Sequence, residues 1–364
     1  MLESWKSLAT GAMLPVIVYA IVLVLNVAVP GRWLDGYVRD AGGKPLRYHL
    51  NGLPVLILMI AGYVAAAHTG LIAWDVFYTY RWGAAIGACI IGLVFTFAIV
   101  IPAPPTGASF GADLYLGRLE NPRWGGGRLD AKMFLYLVGA VMLELNVLSF
   151  AAHHVLSHPG HASPGVLLHA GLFTFFLLDY LTFERVHLYT YDLFAERVGF
   201  KLGWGCLVFY PFFYCIGLWA IADRPDPHTP TALLIVYAAI FFAGWGLSRG
   251  ANLQKFLFKT RPTAKLFGVI APAVVETGGK QLLCSGFWGL SRHINYLGEI
   301  LMATGLALSL GYPTSLAPWL YPIYYLLLLL PRERDDDRRC ARKYGALWEQ
   351  YCRKVPYRVV PGVY

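Results

Sequence analysis

Apolar runs of membrane length, repeated along most of the chain, leave this sequence one environment in which to fold. Seven such runs stand at about residues 12–30, 51–74, 83–101, 131–152, 164–182, 199–222 and 231–248. A further pair lies within about 282–330, where Gly311-Tyr-Pro supplies a turn between two apolar stretches. A helix needs about 20 apolar residues to cross hydrocarbon, and only a helix or a closed barrel satisfies its backbone there. The expectation is therefore an all-α, polytopic integral membrane protein of about nine or ten transmembrane helices. Of the residues, 57% are hydrophobic and 14% charged, against about 25% charged in soluble domains. No length remains for a large soluble domain, so residues 1–364 read as one membrane-embedded domain. Within it fall N-terminal helices over 1–110, central helices over 111–248 and a distinct C-terminal part over 249–364. The first run lacks a small-residue cleavage site and reads as a retained span.

The formal charge of +9 fits basic cytoplasmic loops that orient a membrane protein, or a polyanionic ligand, better than a nucleic acid. By that rule the basic stretch from Arg249 to Lys265 and the arginine-rich tail both face the cytoplasm, with an even number of crossings between them. The stretch 101–130 is too polar to span and too rich in Pro and Gly for a long helix, so it reads as a structured loop or re-entrant segment. A polar break, Phe183 to Asp192, separates the fifth and sixth runs. The six cysteines form no CxxC pair and read as small buried hydrophobes.

Chemistry-bearing residues concentrate in the C-terminal part. Lys255 and Lys259 stand four apart, on one face if helical. They suit phosphate groups, or alternatively snorkel at the membrane surface. Arg292, His293, Asn295, Tyr296 and Glu299 crowd five polar groups into eight residues beside Trp288, which reads as a binding wall. The run Arg332 to Arg339 alternates charges, ordinarily a solvated face. Its carboxylates nevertheless follow an apolar run, where a raised pKa would let one of them supply a proton. Tyr344, Trp348 and Tyr351 recur at spacings of four and three, a stripe on one helical face for packing or for stacking on a planar ring. Gly244-Trp-Gly246-Leu-Ser-Arg-Gly250 lacks the strand and acidic residue of a dinucleotide fingerprint. His153, His154, His158 and His161 have no carboxylate or cysteine beside them in sequence and read as loop residues; no metal site is expected.

At these residues the chain resembles the sterol reductase family, which includes sterol C14-reductases, 7-dehydrocholesterol reductase, fungal-type sterol C24 reductases and the membrane domain of lamin B receptor. The family's SGWWGxxRHPNYLGD is similar to SGFWGLSRHINYLGE at Ser285–Glu299. Its HRxxRDExxCxxKYGxxWxxYCxxVPYRxxPxxY is similar to the segment Pro331–Tyr364. Its RGANxQKxxFR matches Arg249–Lys259, and its LGRELNPR resembles Leu116–Arg123. Glu184 and Asp192 match its NEExxLTTMD segment.

The resemblance implies about ten helices, a sterol entering the central helices from the bilayer, and an NADPH site at the cytoplasmic side. That site would comprise Lys255, Lys259, Arg292, Asn295, Tyr296, Arg332, Asp336, Tyr344, Trp348 and Tyr351. Asp336 takes the place of the family's RD aspartate, the candidate proton donor, and Glu184 is a second catalytic carboxyl. The implied reaction is reduction of a sterol double bond. C14 is favoured by the form of Gly117-Arg118, and C7 and C24 remain open. Departures are Ile294 for Pro, Glu299 for Asp, Phe287 for Trp, Pro331 for His, and Leu137-Val138-Gly139 where Arg-Pro-Gly is usual. An isoprenylcysteine-type, S-adenosylmethionine-dependent methyltransferase and a non-catalytic scaffold are the rival classes. The expected location is the endoplasmic reticulum or a bacterial inner membrane.

Overall fold

The computed structural model describes residues 5–364, which gather into two compact units, one up to His228 and one over Thr229–Tyr364. In the first, α1 (Trp5–Ala28) is followed by an antiparallel hairpin of β1 (Arg32–Arg39) and β2 (Pro45–Leu50), then α2 (Gly52–His68). A single turn, α3 (Val76–Thr79), leads into α4 (Arg81–Val100). Next come α5 (Phe110–Leu116), a small hairpin of β3 (Arg123–Trp124) and β4 (Leu129–Asp130), and α6 (Ala131–Ser157). After α7 (Pro164–Thr182) the chain makes two short helices, α8 (Glu184–His187) and α9 (Tyr191–Ala195). A composite span closes the unit: α10 (Phe200–Trp204), a π-helical stretch over Gly205–Phe213, and α11 (Ile216–Ile221).

The centre of this unit is α6, buried along most of its length. Its polar residues at membrane depth are fully buried, and each is met by a neighbour through at least one atom. Glu144 accepts from the Thr174 hydroxyl at 2.7 Å, and the Asn146 amide donates to the Pro211 carbonyl at 2.9 Å. Ser149 accepts from the Phe77 amide at 3.0 Å. Pro211 sits inside the π-helical stretch, where its missing N–H and ring interrupt the ordinary helical ladder. Asp130 caps α6, its Oδ1 accepting from the amides of Lys132 and Met133, each at 3.1 Å. Small residues let α1 approach α4: a methyl on Gly87 would lie 2.4 Å from the Ala12 carbonyl oxygen. Such backbone proximity is how helices gain packing energy where lipid tails are as apolar as leucine.

In the second unit α12 (Thr231–Thr260) runs on through the basic stretch. A hairpin, β5 (Val274–Thr277) and β6 (Lys280–Leu283), and a single turn, α13 (Phe287–Leu290), precede α14 (Ile294–Ser309). The chain ends with α15 (Leu316–Tyr344), α16 (Ala346–Lys354) and a closing segment to Tyr364. Two glycines of the α12 motif, Gly244 and Gly250, are explained by packing. A methyl on Gly244 would sit 2.6 Å from the Gly298 carbonyl oxygen of α14, and one on Gly250 would meet the Phe287 ring at 2.3 Å.

Among the described residues six helices are long and apolar enough to cross a bilayer: α1, α4, α6, α7, the composite Phe200–Ile221, and α12. The polytopic all-α expectation is borne out. The other three expected spans are also helical but do not meet that measure. Of these, α2 has 17 residues and α14 has 16, while α15 joins an apolar first half to a charged second half.

Candidate functional site

The loop before α6 is held by the residues of its LGRxxNPR-like motif. Gly117, at φ 94°, brings its Cα against the Val198 backbone, where a methyl would lie 2.3 Å from the carbonyl oxygen. Arg118 pairs with Asp113 at 2.8 Å and donates to the carbonyls of Val100 and Ala103 at 3.2 and 2.8 Å. Hydrogen bonds from Thr106 hold the Asp113 carboxyl below its usual range. The buried Lys132 ammonium reaches Asn121 Oδ1 at 3.3 Å and the Leu193 carbonyl at 2.9 Å. Arg123 pairs with Asp130 at 3.2 Å and lies over the Tyr48 ring. These side chains tie the β1–β2 hairpin, the 101–130 loop and the segment before α10 into one end of the first unit.

At that end Glu184 is buried, and its Oε2 accepts from the Gly52 amide at 3.0 Å. Burial pushes its carboxyl up to about 7. Gly52 is required here, because a methyl would approach Glu184 Oε1 to 2.4 Å. The carboxyl lines a small cleft with Met133, Tyr136, Leu137, Tyr180, Leu181 and His187, and the His187 ring stacks on Tyr180 at 4.0 Å. An uncharged acid in a mostly apolar, aromatic-walled cleft is suited to donating a proton or a hydrogen bond.

Two of the four histidines after the fourth run are not loop residues: His153 and His154 lie in the last turns of α6, whereas His158 and His161 follow it in the connection to α7. Nor does His153 lack carboxylates. Its ring stands between Asp75 Oδ2 at 2.9 Å and Asp223 Oδ1 at 2.7 Å, stacked on Tyr78 at 3.8 Å. These partners come from 78 and 70 positions away in sequence. His154 Nδ1 lies 2.9 Å from the Ala222 carbonyl, and its Nε2 accepts from the Ser163 amide at 2.9 Å. Among the described residues no cluster of three or more His, Cys, Asp or Glu could hold a metal ion.

The second unit holds the predicted cofactor residues around the heads of α13 and α14. Lys255 lies 5.4 Å over the Trp288 ring, whose Nε1 donates to the Ala251 carbonyl at 2.8 Å. Asp336 on α15 and Lys259 are within electrostatic reach of Lys255, as is Arg332. Arg292 is buried, 5.9 Å over Trp348, with Nη1 2.6 Å from Cys352 Sγ and 4.0 Å from Asp337. Asn295 and Tyr296 lie in the first turn of α14.

The aromatic stripe is corrected in its geometry. Gly345, at φ 56°, ends α15 after Tyr344, so Trp348 and Tyr351 belong to a separate helix, α16. All three rings still meet in one cluster with Cys284 and Val355. The Trp348 and Tyr351 rings are 5.1 Å apart, and burial pushes the Tyr351 phenol up.

Residues that the sequence left unassigned complete this end of the unit. Arg358 pairs with the fully buried Glu333 at 3.0 Å and with Asp337 at 3.6 Å. The closing segment also takes backbone bonds from α14's head, Arg292 to the Tyr357 carbonyl at 3.0 Å and His293 to the Arg358 carbonyl at 2.8 Å. The available signal was the four-residue spacing of Glu333 and Asp337, which puts both on one face of α15. Four buried atoms around α14's head and the facing turn of α15 have no hydrogen-bond partner: Arg292 Nε, His293 Nε2, Asn295 Oδ1 and Asp337 Oδ1. Buried polar atoms are seldom left so, and a cationic, aromatic site with open donors and acceptors fits a phosphorylated ligand bearing a planar ring.

Fold and sites together define a polytopic helical membrane protein with a basic, ring-lined polar site. The profile of the Ergosterol biosynthesis ERG4/ERG24 family matches residues 12–364. The chain belongs to that family. It is 34% identical to a Delta(14)-sterol reductase of Arabidopsis thaliana, over 97% of this chain and 98% of the relative. It is 32% identical to a Delta(14)-sterol reductase of Methylotuvimicrobium alcaliphilum, over 93% and 80% respectively. Identity to the Delta(14)-sterol reductase TM7SF2 of Mus musculus is 34%, over 88% and 77%.

Proposed function

We propose that this protein reduces a carbon–carbon double bond of a membrane-dissolved sterol, at C14, with NADPH as the reductant. The observation that carries the reading is similarity over 88–97% of this chain to relatives from a plant, a bacterium and a mammal that share one named activity. The four buried atoms without a hydrogen bond and the surrounding cations support a dinucleotide in the second unit. Lys255, Lys259, Arg292 and Arg332 would answer its phosphates; Asn295, Tyr296, Tyr344, Trp348 and Tyr351 would hold its rings and sugars. When bound, NADPH supplies a hydride equivalent.

The chain's own residues must first make the alkene accept it. An isolated double bond is not electrophilic, so an acid has to deliver a proton to one alkene carbon, leaving a tertiary cation at the other. Asp336 is the proposed donor, half-buried beside Lys255. Glu184, held as an acid by burial, is the second candidate. The carboxylate left behind, and any aromatic face beside it, would stabilise the cation. The products are the saturated sterol and oxidised cofactor. The basic segments orient the cofactor end to the cytoplasm, in the endoplasmic reticulum or a bacterial inner membrane.

The test is turnover by purified protein in detergent with NADPH and, separately, a Δ14, a Δ7 and a Δ24 sterol, with products read by mass spectrometry. Reduction of the Δ14 sterol is expected. Reduction of only the Δ7 or only the Δ24 sterol would move the bond position within the family, and reduction of none would overturn the sterol reading.

A further inference from the structure

The imidazole of His293 has no task in the mechanism above, yet it is held at its backbone and on one ring face. Its backbone amide is pinned to the Arg358 carbonyl at 2.8 Å. Its ring stacks on Tyr296, with centroids 4.9 Å apart and planes 22° from parallel. The side chain is only 5% exposed, and Nε2 is buried without a hydrogen-bond partner. A ring fixed on one face and at its root, with one edge atom open, is built to meet something that the protein itself does not supply.

The charges around it say what that is. Cations face it from every neighbouring element: Lys255 of α12, the adjacent Arg292, Arg332 of α15, and Arg358 of the closing segment. Burial first, and then these cations, push the imidazole down to about 3, so the ring is neutral at physiological pH. The acidic Glu333 and Asp337 are engaged by Arg358 and Arg292. Phosphate is well served by the cations; a neutral imidazole adds little to an anion and suits an uncharged hydroxyl or amide. Asn295 Oδ1, two residues on, is a second buried atom without a partner and can only accept.

We propose that His293 is a cofactor-binding residue whose Nε2 hydrogen-bonds an uncharged hydroxyl or carboxamide group of the dinucleotide. The inference rests on the reading of the second unit as an NADPH site. It separates tasks there: lysine and arginine take the phosphates, and His293 orients a neutral part of the same molecule.

The experiment is calorimetric titration of the full-length protein in detergent with NADPH and with 2′,5′-ADP, which lacks the nicotinamide half. Wild type is compared with His293→Phe, which keeps the stack on Tyr296, and His293→Gln, which restores a polar group. His293→Phe should weaken NADPH binding by about tenfold, the effect of one hydrogen bond, and His293→Gln should recover part of the loss. If 2′,5′-ADP binds both variants as it binds wild type, the partner is on the nicotinamide half; if it weakens in parallel, the partner is an adenosine hydroxyl. Variants that both bind NADPH as wild type does would overturn the inference alone. Loss that tracks a fall in melting temperature, with Gln no better than Phe, would overturn it in favour of a packing role. Wild-type protein that binds no NADPH would overturn the cofactor reading, and this inference with it.

Discussion

At Glu184 one buried carboxyl links stability to pH, and the sign can be worked out. Its value rises from 4.5 to about 7 on folding, because burial penalises the charged form. Between those values the folded state holds a proton that the unfolded chain has released. The resulting stability is fully present below the unfolded value and is lost as pH rises through about 7. Glu184→Gln has the shape of the acid and keeps an oxygen for the Gly52 amide, so it should remove that loss. Thermal unfolding should show wild type and variant alike near pH 5, with the variant the more stable at pH 8; superimposable pH profiles would disprove it. Asp336 carries a separate expectation, since its role rests on chemistry. Asp336→Asn should lower kcat by about 10²- to 10⁴-fold, as loss of a general acid does, while NADPH affinity stays within a fewfold. Full turnover in that variant would move the donor role to Glu184.

Helices and loops show what the sequence could reveal. Every expected apolar run became a helix, because length and hydropathy are local properties that hydrocarbon enforces. The 101–130 loop was legible as structured, whereas the reason for its motif was not: Arg118 and Lys132 act on carbonyls at Val100, Ala103 and Leu193, which only tertiary structure brings near. His153 was misread for the same reason, its two aspartates being remote in the chain. The Tyr344–Tyr351 stripe was misread for a local one, since Gly345 at a positive φ, which glycine adopts without strain, breaks the helix that the spacing assumes. The glycines of α12 and α14 carry the clearest prediction at this scale. A methyl on Gly298 would lie 2.5 Å from the Ser248 nitrogen, whereas Gly246, on the same stretch of α12 as Gly244, has nothing within 4 Å. Gly298→Ala should cost about 1–3 kcal/mol by pushing α14 off α12, and Gly246→Ala should be neutral or slightly stabilising. A thermal-melt comparison of the two variants checks it, and equal melting temperatures would refute the close-packing account.

The chain as a whole has its crossings encoded in which connections meet. Numbering the runs from α1, the connections after the first, third and fifth must share one side of the membrane, and those after the second, fourth and sixth the other. In the first unit they do. Tyr48 of the β1–β2 hairpin meets Arg123 after α4, and Lys132 beside that loop reaches Leu193 after α7. At the other end Asp75 after α2, His153 at the end of α6, and Asp223 after α11 converge. This pairing requires α2 to cross, although its 17 residues span only about 26 Å against a hydrocarbon core of about 30 Å. The charge pattern of the first unit agrees: arginines and lysines crowd the connections at 32–47, 118–128 and 185–201, while Lys6, Arg81 and Arg224 are the ones at the opposite end among the described residues. By the positive-inside rule we propose that the crowded side is the cytoplasmic one. Single cysteines can read this out in a chain whose six native cysteines are replaced. Ala41→Cys and Lys265→Cys should react with a membrane-impermeant maleimide only from the cytoplasmic side, and His161→Cys only from the opposite one. If Ala41→Cys and His161→Cys were labelled from one side, the number of crossings between them would be even rather than odd, and one of α2, α4 and α6 would have to be withdrawn as a span.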